Sequence, residues 1–152
     1  MQYPGLVDLQ INGHRGVHFS ASNLTLDQIR QATLELAAAG TVAYCPTIVT
    51  SPLENFQRNL ALFAQAMRDP EISPHILGLH IEGPFISPLE GARGAHPPEH
   101  IRKPDIKLFQ QLQEWSGNNI AILTVAPEVP GAIELIRHVS AAGVVVSMGH
   151  HL

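Results

Sequence analysis

Cysteine, charge and long apolar runs are all scarce in this 152-residue sequence. The single cysteine, Cys45, excludes an internal disulfide and fits a reducing cytoplasm. Charged residues make up only 14% against 45% hydrophobic, which excludes a disordered, solvating polymer. There is no basic surplus: nine Lys and Arg stand against thirteen Asp and Glu, a formal charge of −4. Nucleic acid and anionic membranes both demand a clustered positive face, so neither is expected as a partner. The nearest approach to a long apolar run, residues 121–129, is broken by Thr124, Pro127 and Glu128. No stretch is fit to cross a bilayer, and no basic start followed by an apolar core suggests a signal peptide. Histidine is the residue in excess. There are nine, as many as Lys and Arg together, which directs attention to metal or acid–base chemistry.

Strand-like and helix-like segments alternate along the chain. Runs rich in Val, Ile and Leu at Leu6–Ile11, Thr41–Cys45, Ile76–Ile81, Ile120–Val125 and Val144–Met148 lack strict alternation, as strands buried on both faces of a parallel sheet do. Between them, Leu26, Ile29 and Leu36 mark one helix, and Leu53, Phe56, Leu60, Phe63 and Met67 a second. Ile106, Phe109 and Leu112 mark a third, and Ile133, Ile136 and Ser140 the fourth. Thr25 with Gln28, and Ser51 with Glu54, have the capping-box form, the second with Pro52 at the first helical position. Gly40 and Gly143 close helices just before strands. A (β/α)8 barrel of about 250 residues spends about 31 on each unit, so five strands take about 156. The length therefore suits slightly more than half a barrel, or a complete open five-stranded doubly wound sheet. Periodicity leaves both open.

In either fold the reactive groups gather beyond the carboxyl ends of the strands. Reading those positions gives Gln10 and Asn12, then Cys45-Pro46-Thr47, then Glu82, then Thr124 to Glu128, and finally His150 and His151. Glu82 leaves an apolar run and meets Gly83-Pro84, where a carboxylate is costly to bury unless a cation or strong donors receive it. It either caps backbone amides or serves metal or acid–base chemistry. His150 bears the same relation to its own strand, and carboxylate plus imidazole is a donor set that zinc and similar ions accept. His151 points elsewhere on an extended chain. His96 lies in a Gly- and Pro-punctuated loop after strand 3, a place for substrate contact or for a plain surface histidine. Glu128 most simply closes strand 4, while His14 and His18 lie in a loop within reach of the mouth. His75, His100 and His138 read as surface residues, His80 as a buried hydrogen-bonded one, and Cys45 as a packed thiol.

Taken together, Pro4 to Gly13, Gly40-Thr41 with Cys45-Pro46-Thr47, Leu77 to Phe85, Gly94 to Pro98, Thr124 to Glu128 and Val146 to His150 resemble the N-acetylglucosamine-6-phosphate deacetylases of the amidohydrolase superfamily. The resemblance implies an α/β fold. Residues 1–152 would form an incomplete amidohydrolase domain, a partial TIM (β/α)8 barrel of about five parallel strands and four helices. It implies one divalent metal ion, zinc before iron or manganese, held by Glu82 and His150, with Ala95 and His96 contacting an amino-sugar phosphate. Gln10 and Asn12 stand where many amidohydrolases carry His-x-His for a second metal, and neutral amides hold such an ion poorly. His151 departs from the small hydroxyl residue usual beside the ligand. A third metal ligand and the aspartate acting as general base are expected beyond Leu152. So is the rest of the barrel, while the small β-sandwich that the family builds from both chain ends has no counterpart, which leaves no catalytic residue within the sequence itself. The implied reaction is release of acetate from N-acetylglucosamine 6-phosphate, in the cytoplasm, with the isolated chain inactive and prone to self-association as a homo-oligomer. A hydrolase of cyclic amides and a non-catalytic remnant are the competing expectations.

Overall fold

The structure, a computed structural model, describes residues 4–152. β1 (Leu6–Ile11) is followed by a short antiparallel hairpin of β2 (Gly13–His14) and β3 (Val17–His18). Then α1 (Leu26–Ala38), β4 (Thr41–Val49), α2 (Leu53–Ala66), β5 (Leu79–Glu82), α3 (Ile106–Trp115), β6 (Ile120–Val125), α4 (Ala132–Ala141) and β7 (Val145–Met148) alternate. The main sheet runs β1-β4-β5-β6-β7 with every pairing parallel. Strand order follows chain order without reversal, so the sheet has no topological switch point, the mark of a doubly wound fold. Five parallel strands with four helices in this order form a partial TIM barrel.

The helices begin and pack for local reasons. Thr25 caps α1 through its side chain while Gln28 reaches back to the Thr25 N–H, so the first capping box forms as expected. The second does not. Pro52 is itself the cap of α2, with no side-chain bond, and its carbonyl receives the Asn55 and Phe56 N–H groups. The Ser51 hydroxyl is buried without a partner. Asp105 caps α3 by accepting from the Lys107 and Leu108 amides. In α2 the stripe Phe56, Leu60 and Phe63 is fully buried, and Phe63 meets Phe19 edge-on with ring centroids 5.2 Å apart. For α4 the buried stripe is Ala132, Leu135 and Val139, one step off the expected one, and Ile133 is exposed.

Two strand limits also differ from expectation. β4 runs on to Val49, four residues past Cys45, because it changes partner midway: residues up to Pro46 pair with β1, and Thr47 to Val49 pair with β5. Pro46, which has no N–H to give, stands at the hand-over. β5 begins at Leu79, since Gly78 takes φ +143° and leaves Ile76 with a single bridge to Tyr44. No helix among the described residues is long and apolar enough to cross a membrane.

Candidate metal centre

Three side chains meet beyond the carboxyl ends of the strands. Glu82, the last residue of β5, is buried. His96 arrives from the loop after β5, also buried, held by its N–H on the Arg93 carbonyl and by the Arg93 guanidinium on its own carbonyl. His150 follows β7 after Gly149, with the Ser87 amide fixing its carbonyl at 3.0 Å. Its backbone adopts φ +52°, a region few non-glycine residues enter and one that is concentrated at functional sites.

Glu82 Oε1 stands 2.8 Å from His150 Nε2 and 3.7 Å from His96 Nε2, and the two nitrogens are 3.2 Å apart. Zinc with nitrogen and oxygen donors at about 2.0–2.2 Å in tetrahedral array separates them by about 3.3–3.6 Å. The observed spread brackets that range, so one cation can be reached from all three atoms. The other oxygen, Glu82 Oε2, accepts from the Gln10 side-chain amide at 3.1 Å. A cavity of about 340 Å³ opens over the cluster, with Asn12, Val49, Ala95 and Pro97 completing its wall.

The electrostatics favour a cation. Hydrogen bonding from His96, opposed by burial and reinforced by His150, brings the Glu82 carboxyl down to about 2, so it is ionised. His150 Nδ1 faces the Ala92 carbonyl at 3.3 Å. The Ala92 carbonyl and the ionised Glu82 carboxylate both only accept, so Nδ1 donates toward Ala92 while the Nε2 position facing Glu82 takes a proton or, in its place, a cation. Orientation of a ligating imidazole by a carbonyl at its far nitrogen is the usual arrangement in metal sites.

The convergence expected of Glu82 and His150 is thus observed, and His96 and Ala95 lie at the same cavity, Ala95 exposed on its wall. The other histidines stay out of the cluster. His14 approaches Glu35 on α1, His75 bonds the Val42 carbonyl, and His151 is exposed and donates to the Leu152 carbonyl. His80 lies buried beneath Glu82, joined to Thr124 at 2.7 Å and to the Leu9 carbonyl at 3.2 Å, and burial lowers its pKa. Cys45 is buried, and desolvation and then Asp8 raise its thiol pKa, as for a packed, unreactive group. Glu128 accepts from the Leu152 amide beside a separate, largely apolar cavity of about 450 Å³. Sequence reasoning missed Thr50, whose hydroxyl lies 2.8 Å from His96 Nδ1. The signal was present in Ile48-Val49, which prolong the apolar run of β4 and make Thr50 the first residue beyond it.

A partial (β/α)8 barrel with a carboxylate and two imidazoles gathered at its mouth defines the class: an α/β barrel whose rim carries a donor set that could hold a metal ion. No protein-family model matches the chain. It is 39% identical over 150 residues to the N-acetylglucosamine-6-phosphate deacetylase of Bos taurus, covering 97% of this chain and 36% of that protein. It is 36% identical over 151 residues to the deacetylase of the same name from Bacillus subtilis, covering 97% of this chain and 37% of the relative. Among solved structures, the N-acetyl-D-glucosamine-6-phosphate deacetylase of Mycobacterium smegmatis, in complex with N-acetyl-D-glucosamine-6-phosphate, superposes with a TM-score of 0.85 at 32% identity. That match covers 97% of this chain and 37% of the other. The Pasteurella multocida enzyme gives 0.83 at 29% identity, again over 97% of this chain and 37% of that one. The chain therefore corresponds to one segment of the N-acetylglucosamine-6-phosphate deacetylases, spanning about 36% of the length of the curated relatives it matches.

Proposed function

We propose that this chain supplies the metal-binding rim and part of the substrate pocket of a deacetylase that hydrolyses the acetamide of N-acetylglucosamine 6-phosphate to glucosamine 6-phosphate and acetate. The observation that carries this reading is the meeting of Glu82 Oε1 and His150 Nε2 at 2.8 Å beneath an open cavity. Their oxygen and nitrogen donors suit a single divalent ion, zinc first. Such an ion, when bound, supplies a Lewis acid that acidifies water and polarises an acyl oxygen. Gln10 and Asn12 do not offer a second seat, since the Gln10 amide is committed to Glu82 as a donor. Ala95 and His96 face the cavity and would contact the amino sugar. A cytoplasmic setting and a homo-oligomer complete the reading.

Amide hydrolysis also needs a group that takes a proton from water and returns it to the departing amine. None of the four described aspartates, Asp8, Asp27, Asp69 and Asp105, joins the cluster. The 152-residue chain is accordingly expected to take up zinc but to release no acetate. Calorimetric titration should give one zinc per chain, with both Glu82→Gln and His150→Ala weakening binding at least about tenfold. A wild-type chain that takes up no zinc would overturn the metal site, and acetate release by the chain alone would overturn the assignment of the missing base.

A further inference from the structure

We propose that His80 is a positioning residue: it holds a bulge in β1 at Leu9 and Gln10, and so aims the Gln10 side-chain amide at the carboxylate of Glu82. The proposal rests on the reading of Glu82 as a metal ligand for one consequence, the effect of His80 on metal affinity.

β1 slips against β4 just where it reaches the mouth. Asp8 pairs with Tyr44 and Ile11 with Pro46, so Leu9 and Gln10 together stand opposite Cys45 alone. Two residues against one is a β-bulge, a device that re-aims a side chain beside a functional site. Pro46, at the far end of the bulge, has no N–H to offer it. Side chains hold the bulged peptide at both ends instead. The Leu9 carbonyl faces His80 Nδ1 at 3.2 Å, and the Gln10 N–H donates to Asp8 Oδ1 at 2.9 Å. From this peptide the Gln10 side-chain amide reaches past β4 and donates to Glu82 Oε2 at 3.1 Å.

His80 is placed to carry that load. It is 3% exposed and lies on β5, the strand that ends in Glu82. A carbonyl only accepts, so Nδ1 is the donor to Leu9 whether the ring is neutral or charged. At the other side of the ring, Nε2 lies 2.7 Å from the Thr124 hydroxyl on β6, which fixes the rotation of the imidazole. One buried ring thereby ties β1, β5 and β6 together. In the described sheet β1 is an edge strand, so no ladder bond from its outer side steadies the bulge. Groups that orient a ligand from behind govern metal affinity by about 10–100-fold. Here that group is the Gln10 amide, and His80 sets where it stands.

Two amide substitutions separate this role from packing alone. Asparagine puts its N–H2 near the place of Nδ1, so His80→Asn keeps the donor to Leu9 and drops the Thr124 contact; His80→Gln, which reaches the place of Nε2, does the reverse. The full metal-free chain, labelled with 15N-glutamine, is measured by magic-angle-spinning NMR, with Gln10 assigned through Gln10→Leu. The Gln10 side-chain amide should be hydrogen-bonded and slow to exchange in the wild type and in His80→Asn, and should exchange freely in His80→Gln. Zinc titration of the same chains follows. His80→Gln and Gln10→Leu should each weaken binding about tenfold, and His80→Asn by no more than about twofold. The variant carrying both His80→Gln and Gln10→Leu should fall within about twofold of Gln10→Leu, since the two act through one contact. A freely exchanging Gln10 amide in the wild type or in His80→Asn, a protected one in His80→Gln, or losses that multiply to about a hundredfold in the double variant would each overturn the proposal. If one variant does not fold, the other and the wild type still decide. A wild-type chain that takes up no zinc would overturn the metal reading alone, and the Gln10 signal would still settle the role of His80.

Discussion

Gly83 joins two requirements at one position. Its φ of +87° is unsuited to a side chain, and a Cβ would collide with the Thr50 hydroxyl. Gly83→Ala is therefore expected to cost about 1–3 kcal/mol in urea denaturation. It should also weaken zinc uptake by displacing Glu82, its neighbour in sequence. Tyr44 makes a different demand. Burial pushes its hydroxyl up to about 12, partly offset by the Thr33 hydroxyl. The folded value lies above the unfolded one of about 10, so the stability it lends is whole below pH 10 and disappears as pH rises through 12. Urea midpoints followed from about pH 8 to 12 should fall across that window, and Tyr44→Phe should flatten the fall. A wild-type profile with no decline would show that the Tyr44 environment is more solvated than its burial implies.

At the scale of elements, what could be read from the sequence depended on whether a local rule or a tertiary partner sets each limit. The strands β1 and β6 have the limits their apolar runs give, and α1 starts at its capping box, where hydrogen bonds within a few residues set the first turn. The end of β4 is decided by β5, which takes over the ladder after Pro46, and the apolar Ile48-Val49 is the local trace of that hand-over. The same shift hid Thr50, which stands one residue past the true end and five past Cys45. The hairpin of β2 and β3 was missed because its turn, Arg15-Gly16, places a non-glycine residue at φ +45°. In α4 the buried face includes Ala132, too small to stand out in an apolar pattern beside the exposed Ile133. Glu82 and His150 were legible because each is a polar residue at the exit of an apolar strand, where one rim collects them. That His96 would lie within 3.2 Å of His150 was not, since its loop carries no period.

Across the whole molecule, the described sheet has two edges, β1 and β7, each paired on one side only. Leu6, Val7 and Leu9 on β1 and Val145 and Met148 on β7 are all more than half exposed. Unpaired strand edges with apolar side chains recruit further chains. Sedimentation of the 152-residue chain should shift to larger species as concentration rises, and Leu9→Lys with Val145→Lys should move the balance back toward monomer. A single monomer boundary at every concentration would contradict this.

The Glu82–His150 contact spans 68 residues of chain and has β6 interposed between the two strands that present it. It does not exist as a local motif in a partly folded chain, because β5 and β7 are brought to register only through β6. A cation seated there selects the chains in which that last parallel pairing is finished, and shifts the population toward them by mass action. With a metal bound, the seat would work as a latch on a long closed loop as well as a place for chemistry, and metal supply would become one of the conditions that decide how much of the chain is folded.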